Sequence, residues 1–435
     1  MHHGPVRPVP KRVACASAGS LPLGCRMGSA RGGSRVPRRH EGWTRLVVQR
    51  EVEKMHQRTA DVIIVGGGVH GCAGAYELAK AGVKVALFEA NYLSSGGSGR
   101  SAAGIRQHFG TEVNCRLAQY NVQCFTHLEE ELGAELPLDY AQWGYMWVAY
   151  TDSCLDQLKK NVDLQNSLGT PSVIMTPGEV KAKWPYLRLD GIIGAAFCHQ
   201  DGHINPQTMT IAYGRQAERL GATVKTHSPV ERLLASGDKI TGVVVNGEEW
   251  HADKVVLTAG PWSTPLAATV GVELPVSPER HNLLVTEQVE PFQCPMVLCL
   301  DDGAYFKQCP NGSFFLGRDD AGEPKTTESG NSWKFLEGVT KSVLSRIPVL
   351  SGVRVVRQWS GPYDNTPDHQ AIIDWAPVEG LLINCGWSGH GLQFGPSGGR
   401  LIREMVTGQP TFVDIRRFRL ARFAENDLFF EPAYI

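Results

Sequence analysis

Apolar and polar residues near the start of the chain follow the order of a strand, a turn, a helix and a second strand. Asp61–Val65 and Val83–Phe88 are short apolar runs, the first rich in β-branched residues, as is typical of buried parallel strands. The segment between them has the composition of a helix that starts directly after a glycine-rich turn. This pattern predicts a strand–helix–strand unit over residues 61–89.

Three glycines in this turn have the spacing of a phosphate-binding site. Gly66, Gly68 and Gly71 form the pattern G-x-G-x-x-G, which provides a tight turn, close approach of the backbone to a pyrophosphate and close packing of the helix on the strand. The first N–H groups of the helix add a positive dipole end. Glu89 ends the second strand, where a carboxylate accepts hydrogen bonds from ribose hydroxyls. Together these features predict an adenine-dinucleotide site.

The pattern further along the chain predicts alternating helices and strands. The predicted elements are an amphipathic helix over 117–132, a strand over 143–149, a helix over 155–168, a helix that starts with a capping box at 176–179, a β-meander over 223–259 and further strands over 274–317. None of these elements carries chemistry by itself, and a purely structural role for the meander remains an alternative.

A second strand–glycine–helix unit lies between Gly380 and Gly408. Two such units at opposite ends of the chain indicate a cofactor that is held from both sides. The first unit would bind the ADP half. The second would place helix N–H groups near the O2 edge of a flavin ring, where the helix dipole favours the anionic reduced flavin. A simple cap of the sheet is the alternative for this second unit.

Composition and charge exclude several function classes. A formal net charge of −1 over 435 residues gives no basis for binding nucleic acid. No apolar run reaches the ~18 residues of a transmembrane helix. The 11 cysteines include no C-x-x-C pair and no zinc-ligand spacing. We therefore expect a reducing, cytoplasmic environment without a structural metal.

Residues 1–58 differ from the rest of the chain because they are rich in Arg, Pro, Gly and Ser, with no acidic residue before Glu41. Such a segment buries too little apolar surface to fold alone. Three interpretations remain: a disordered tail, an Arg-rich mitochondrial presequence, or translation from a start placed upstream of Met55. We favour the last, because Met55 lies six residues before Asp61.

Five segments together resemble the D-amino-acid oxidase superfamily of FAD enzymes, and within it the β-subunits of sarcosine oxidase and of dye-linked L-proline dehydrogenase. The resemblance extends over about residues 59 to 425. The segments are DVIIVGGGVHG (61–71), GRSAAGIRQHFGTEVN (99–114), DGHINP (201–206), YDNTPDHQAIID (363–374) and GWSGHGLQFGPSGGRLI (386–402).

This resemblance implies a mixed α/β fold. A glutathione-reductase-type, Rossmann-like FAD-binding domain would comprise residues 59–136, 200–265 and 366–425, and would be interleaved with an antiparallel-sheet substrate domain of residues 137–199 and 266–365. The reaction implied is hydride transfer from the carbon beside an uncharged amine to N5 of the flavin. The pocket then needs a cation for the substrate carboxylate.

The resemblance also assigns pocket residues. Arg106 matches the arginine that holds the carboxylate in monomeric sarcosine oxidase, and Tyr363 matches a pocket tyrosine. Gln393 replaces a lysine in the second glycine-rich turn, so it donates a hydrogen bond without a charge. His390 lies in the same turn, where a backbone-bonded histidine is the alternative to a catalytic one. Further pocket candidates are Tyr305 and His281.

The cofactor-binding residues expected from the motifs and the resemblance form one larger set. They are Gly66, Gly68, Val69, His70, Gly71, Glu89, Arg100, Ser101, Val230, Ala259, Gly260, Gly389, Gly391, Leu392 and Gln393. Three positions at which relatives attach a flavin covalently fall on Gly361, Ser101 and near Pro206. Since glycine and proline have no nucleophile and serine is not a known attachment residue in this family, we expect non-covalent FAD.

Three functional interpretations remain open. The first is a stand-alone amine or amino-acid oxidoreductase acting on a small substrate. The second is a β-type catalytic subunit that works only with partner chains. The third is a non-catalytic assembly factor that binds FAD, since this fold also occurs in such proteins. Partner chains that co-purify would indicate the second, and a flavin that no amine reduces would favour the third.

Overall fold

The computed structural model describes residues 58–188, 190–320 and 322–432. The interpretations of the Arg-rich extension therefore concern residues that lie, except for Arg58, outside this described part. Burial and strand pairing determine how the strands and helices of this part are arranged.

The strands are β1 Val62–Val65, β2 Val85–Phe88, β3 Gly104–Ile105, β4 Tyr145–Ala149, β5 Ser172–Met175, β6 Gly194–Cys198, β7 Gly202–His203, β8 Thr223–Lys225, β9 Val230–Ser236, β10 Lys239–Val245, β11 Glu248–His251, β12 Lys254–Leu257, β13 Ser277–Thr286, β14 Met296–Cys299, β15 Tyr305–Gln308, β16 Phe314–Gly317, β17 Val355–Asn365, β18 Ile372–Trp375 and β19 Leu381–Cys385. The helices are α1 Val69–Lys80, α2 Glu112–Phe125, α3 Leu128–Leu132, α4 Asp152–Ser167, α5 Pro177–Lys183, α6 Pro206–Arg219, α7 Ser263–Ala268, α8 Trp333–Arg346 and α9 Gly395–Val406.

A six-stranded sheet has the order β18-β19-β12-β1-β2-β8. Its five strands from β19 to β8 run parallel, and β18 is antiparallel to β19. All four residues of β1 are buried, which agrees with the continuous apolar run that a parallel strand covered on both faces requires. The predicted strand–helix–strand unit is confirmed as β1, α1 and β2.

Helix α1 packs closely against α9, and small residues permit this approach. A Cβ atom on Gly399 would lie 2.7 Å from Cβ of Ala73. On the other helix, a Cβ atom on Gly74 would lie 2.9 Å from Cδ1 of Ile402. The helices of the two strand–glycine–helix units are therefore neighbours in the fold, although more than 300 residues separate them in the chain.

An eight-stranded sheet has the order β17-β13-β16-β15-β14-β4-β6-β5. Its pairs are antiparallel except for β14 with β4, which is parallel. Helix α8 covers one face, where Phe335, Val339 and Val343 pack in one cluster with Phe306 and Phe314 of the sheet. The other face points toward the site described below. The expected mixed α/β fold is confirmed.

Two predicted elements differ in the structure. The predicted meander over 223–259 is wrong at both ends, because β8 and β12 pair in parallel with β2 and β1 and only β9 to β11 form an antiparallel sheet. The predicted helix over 117–132 is interrupted after Phe125, since His127 leaves the helical conformation at φ −124° and ψ 0°. The capping box at Thr176 and Glu179 is confirmed. Within the described ranges, no helix combines the length and apolar character needed to span a bilayer.

Candidate functional site

The first glycine-rich turn connects β1 to α1 through contacts that leave no room for side chains. Gly66 has φ +106°, and a Cβ atom there would lie 2.7 Å from the carbonyl oxygen of Thr258. A Cβ atom on Gly71 would lie 1.9 Å from the carbonyl oxygen of Gly66. The Thr258 hydroxyl, at the end of β12, donates to the carbonyl oxygens of Val65 and Gly66 at 2.9 and 3.1 Å. The neighbouring strand therefore fixes the turn.

Glu89, directly after β2, is held beside this turn. Its carboxylate accepts hydrogen bonds from the backbone N–H of Gly67 at 2.7 Å and of Asn91 at 2.8 Å, and from the Ser95 hydroxyl at 3.1 Å. These donors fix the orientation of the carboxylate at the carboxyl end of the parallel strands. Ligands of open α/β sheets bind in the crevice at this end.

A cavity of about 590 Å³ extends from this crevice toward the eight-stranded sheet. Thirteen of the fifteen expected cofactor-binding residues line it, whereas Gly71 lies beneath the turn and Gln393 lines a second cavity. The thirteen are Gly66, Gly68, Val69, His70, Glu89, Arg100, Ser101, Val230, Ala259, Gly260, Gly389, Gly391 and Leu392.

The second glycine-rich turn lies against the first. The Nε2–H group of His70 donates to the carbonyl oxygen of Gly391 at 2.9 Å, and the His70 ring stacks on Trp387 at 4.4 Å between centroids. Gly389 has φ +90°, and a Cβ atom there would lie 2.3 Å from the ring of Tyr363. The two turns and strand β17 thus enclose one end of the first cavity.

A second cavity of about 470 Å³ adjoins the first. Arg106, His390 and Gln393 line the second cavity, and Tyr363, Tyr305 and His281 line both. The structure therefore brings all four expected catalytic residues and both further pocket candidates to the two cavities or their junction.

Arg106 lies in this second cavity among aromatic rings. Its guanidinium carbon is 4.8 Å from the ring centroid of Phe109, 5.3 Å from that of Trp147 and 5.9 Å from that of Tyr145. In the part of the chain that the structure describes, no carboxylate oxygen forms an ion pair with Arg106 within 4 Å. Cation–π contacts position the charge without neutralising it, so the guanidinium is available to an anion.

Gln393 and His390 complete the wall on this side. The Gln393 Oε1 atom accepts the backbone N–H of Arg106 at 2.9 Å, so Gln393 fixes the loop that carries Arg106. Burial, together with the positive charges of Arg106 and His369, lowers the pKa of His390 to about 3. His390 is therefore neutral at pH 7 and adds no second cation.

A stacked pair stands at the junction of the two cavities. The rings of His281 and Tyr363 are 3.6 Å apart between centroids and nearly parallel. His281 lies between two carboxylates, with Nε2 3.4 Å from Oε1 of Glu279 and Nδ1 3.6 Å from Oδ1 of Asp319. The hydrogen bond with His281 lowers the pKa of Glu279, and burial raises that of Asp319. This part of the second cavity is therefore acidic. Three strands of the eight-stranded sheet separate β13, which carries Glu279, from β4, whose Tyr145 and Trp147 contact Arg106.

Residues 61–405 match the DAO family, described as FAD dependent oxidoreductase. The chain belongs to this family. Among curated relatives, it is 28% identical over 381 residues to 4-methylaminobutanoate oxidase (formaldehyde-forming) of Paenarthrobacter nicotinovorans, covering 83% of this chain and 46% of that protein. It is 26% identical over 375 residues to sarcosine oxidase subunit beta of Rhodobacter capsulatus, covering 85% of this chain and 89% of that one.

A solved structure of L-proline dehydrogenase from P. horikoshii superposes on this DAO-family chain with a TM-score of 0.81 at 28% identity, covering 86% of this chain and all of that one. The chain thus spans less than half of the first curated relative but the full length of this structural neighbour. The resemblance expected from the sequence motifs is confirmed.

FAD is the cofactor that membership of the DAO family implies, and the first cavity fits it. The glycine turn with its helix N-terminus suits the pyrophosphate, and Glu89 stands where the ribose of the ADP half would lie. Gly389 and Gly391 let the second turn approach the far end of the cavity. Of the positions that the resemblance associates with covalent attachment of flavin, Gly361 and Ser101 line the first cavity, whereas Pro206, which lies near the third, lines neither of the two large cavities.

Several residues that line the second cavity were not expected from the sequence. They are Tyr145, Trp147, Glu279, Asp319 and Glu431. The alternation of Tyr145 and Trp147 on one face of a strand was a usable signal, since residues i and i+2 point to the same side. No local pattern marks Glu431, whose place depends on distant contacts.

Two buried histidines of the site predict an acid-sensitive fold. Burial lowers the pKa of both His70 and His390 from 6.5 to about 3. Between these values the unfolded chain binds more protons than the folded chain, so the free energy of unfolding should fall as the pH falls from about 6.5 toward 3, by up to ~1.4 kcal/mol per pH unit for each histidine. Urea midpoints at pH 7, 6 and 5 measure this slope. His390→Asn should have a shallower slope than the wild type, and equal slopes would contradict the prediction.

Proposed function

We propose that this chain oxidises the carbon–nitrogen bond of a small amino acid, with a secondary amino acid such as sarcosine or proline as substrate. The observation that carries the proposal is the position of Arg106, a cation without an ion pair among the described residues, in a cavity that adjoins the FAD cavity. The names of the relatives support it, since they include a methylaminobutanoate oxidase, a sarcosine oxidase subunit and an L-proline dehydrogenase.

In this proposal the four residues expected from the sequence each have a role in the second cavity. Arg106 holds the substrate carboxylate through paired N–H donors, and Gln393 fixes the Arg106 loop by accepting its backbone N–H at 2.9 Å. Tyr363, stacked on His281, forms the wall between the two cavities. His390 contributes a neutral, buried ring. When bound, FAD supplies the hydride acceptor.

The substrate amine must release its proton to the solvent before hydride leaves, because its lone pair stabilises the developing cation. Asp319 and Glu279 line the second cavity beside His281 of β13, away from the rings of β4 that contact Arg106. We assign to this acidic side the attraction of the protonated amine as the substrate enters. The carboxylate and the amine would then occupy opposite walls, with the bond between carbon and nitrogen turned toward the junction of the cavities.

We further propose that the six-stranded sheet belongs to an FAD-binding domain of residues 59–136, 200–265 and 366–425. The eight-stranded sheet would belong to a substrate domain of residues 137–199 and 266–365. This division is supported by the two cavities, because the first follows the parallel strands and the second follows β4, β14 and β15.

Non-covalent attachment of FAD is part of the proposal. A Cβ atom on Gly361 would lie 2.8 Å from Cβ of Arg100, so this position holds no reactive side chain and has little space for one. The Ser101 hydroxyl accepts the N–H of Ala103 at 2.9 Å, which fixes it within its own loop. Acid precipitation of the purified protein should leave all flavin in the supernatant, whereas a coloured pellet would show a covalent bond.

An anaerobic absorbance titration of the purified full-length chain tests the substrate class. Sarcosine, L-proline, D-proline, hydroxyproline and 4-methylaminobutanoate would be added in turn while the oxidised-flavin band is followed. Bleaching by one of them is the expected result, and admitting air then distinguishes an oxidase from a dehydrogenase. Protein without flavin would contradict the whole proposal. A bound flavin that none of them reduces would favour a non-catalytic role.

A β-type subunit of a multi-chain enzyme is the second candidate. It is favoured by the similarity to sarcosine oxidase subunit beta, which extends over 85% of this chain and 89% of that subunit. Affinity purification from the source cell tests it. Two results together would establish this candidate over the stand-alone enzyme. Partner chains should co-purify in stoichiometric amounts, and the reduced flavin should be reoxidised slowly by air in the isolated chain but quickly in the complex.

A further inference from the structure

Residues 428–432, here called the strap, line the second cavity although they belong to neither sheet. Phe430 and Glu431 are both among the residues around this cavity. The strap also lies beyond residues 61–405, the part of the chain that matches the family. Its contribution to the cavity is therefore a property of this chain that the family match does not include.

The base of the strap is fixed by a buried ion pair. Arg422 Nε lies 2.8 Å from Oδ2 of Asp368, Arg422 Nη2 lies 3.0 Å from Oδ1, and both side chains are fully buried. Asp368 itself lines the second cavity. The ring of Phe429 packs against that of Phe418 at 5.5 Å between centroids. These contacts fix the segment that leads into the strap beside the second cavity.

The tip of the strap is fastened to the segment that follows Arg106. The Glu431 carboxylate accepts hydrogen bonds from the N–H of Gly110 at 2.7 Å, from Nδ2 of Asn114 at 2.6 Å and from the hydroxyl of Thr111. The carbonyl oxygen of Pro432 accepts from Nδ2 of Asn161 at 3.0 Å. Because its acceptor atoms are used in this way, Glu431 lies near Arg106 without pairing with it.

The strap also reaches behind Arg106. Glu431 and Pro432 lie with Arg106 and Trp147 around a separate hollow of about 10 Å³. Residues of the strap therefore line both of the spaces that Arg106 lines, the second cavity and this hollow. A change in the position of the strap would change the space around the proposed carboxylate site.

Between its two fixed ends, the strap exposes one large apolar side chain. Phe430 is 57% exposed, whereas its neighbours Phe429 and Glu431 are 7% and 9% exposed. An aromatic ring this exposed adds little to the core. Because the Phe430 side chain lines the second cavity, it can limit the size of a molecule bound there.

We propose that the strap determines substrate size, with Phe430 as the wall that restricts the side chain of an amino acid bound through Arg106. This inference rests on the proposed function, because it takes the second cavity as the carboxylate site. It predicts that small carboxylates are bound independently of Phe430, and that bulky carboxylates are disfavoured by it.

The test measures the binding of acetate and phenylacetate to the flavin-loaded full-length protein through the shift of the flavin absorbance spectrum. In Phe430→Ala, the Kd of phenylacetate should fall by at least ~5-fold, an effect at the lower end of what pocket size produces. The Kd of acetate should stay within about 2-fold, because acetate is too small to reach the ring. Leu136→Ala is the matched control, since Leu136 is 64% exposed and lines neither cavity.

A second variant tests the fastening of the strap. Glu431→Gln replaces one acceptor oxygen by an N–H donor that faces other donors, so hydrogen exchange of residues 428–432 should become faster. Selectivity should also shift toward phenylacetate, as in Phe430→Ala. The strap proposal would be overturned if Phe430→Ala changed the Kd of both ligands equally, changed neither Kd, or weakened the binding of phenylacetate. If the wild type binds neither carboxylate, the proposed function fails, and the strap proposal with it.

Discussion

Replacement of Arg106 by methionine is expected to remove most of the amino-acid-dependent reduction of the flavin while the flavin stays bound. Arg106 has no ion pair among the described residues and lies between the rings of Phe109 and Trp147. Methionine fills that apolar space but leaves a substrate carboxylate without its cation. The loss should be about 3 kcal/mol, or roughly 100-fold in the Kd of the substrate. Anaerobic stopped-flow reduction by the substrate identified in the titration measures it.

Two further variants separate charge from packing at this position. Arg106→Lys keeps the charge without the planar fork, so it should recover part of the affinity. Arg116→Met removes a largely exposed arginine paired with Glu112 on the surface of α2, and should behave like the wild type. Unchanged reduction in Arg106→Met would refute the carboxylate role of Arg106. Loss of flavin from that variant would instead assign Arg106 to the cofactor site.

Substitution of Gly71 by alanine should cause loss of bound FAD together with a large loss of stability. The added Cβ atom would lie 1.9 Å from the carbonyl oxygen of Gly66 and 2.8 Å from Oγ1 of Thr258. Because the first of these atoms is backbone, α1 must move away from β1, which should cost more than ~3 kcal/mol. Flavin content by absorbance and urea denaturation measure the two effects.

Gly178→Ala is the matched control for this change. Gly178 lies in α5, and a Cβ atom there would lie 4.0 Å from Oγ1 of Thr176, an ordinary van der Waals distance. Alanine is also the better helix former, so this variant should keep its flavin and gain slightly in stability. A Gly71→Ala protein with full flavin and wild-type stability would contradict the close packing of the first turn.

The strand–helix–strand unit was predictable because all its determinants are local. The apolar run of β1, the three glycine positions and Glu89 lie within 30 residues, and each has a physical reason that depends on its neighbours in sequence. The second glycine-rich turn was recognisable for the same reason. The close contact between the two turns was not, because it depends on how α1 and α9 pack.

Strand partners were less predictable than strands. Residues 223–225 and 254–257 look like the outer strands of a meander, since both lie next to turn residues and are rich in β-branched residues. They pair instead in parallel with β2 and β1 within the six-stranded sheet, whereas β9 and β11 remain the edge strands of their own three-stranded sheet. The break at His127 also escaped prediction, as the apolar spacing continues through it into α3.

The candidate site also combines features that the sequence reveals with contacts that it does not. Arg106 stands out in sequence as an arginine in a nearly uncharged, glycine-rich segment. Its surroundings come from distant parts of the chain, since Gln393 is 287 positions away and the hydrogen bonds from Glu431 to the segment after Arg106 reach back 317 to 321 positions. Long-range contacts of this kind carry no periodicity that a single sequence displays.

The hydrogen bond from His70 to Gly391 has a consequence for biosynthesis. The two residues are 321 positions apart, so a ribosome has made most of the chain before the second turn exists. Strands β1 and β2 emerge early, but β12, which pairs with β1, and β19, which pairs with β12, follow only later. Such late, distant contacts make folding slow and leave apolar strands uncovered meanwhile. We expect FAD to be incorporated only after the second turn has been synthesised, which makes the supply of the cofactor a control point for the yield of folded protein.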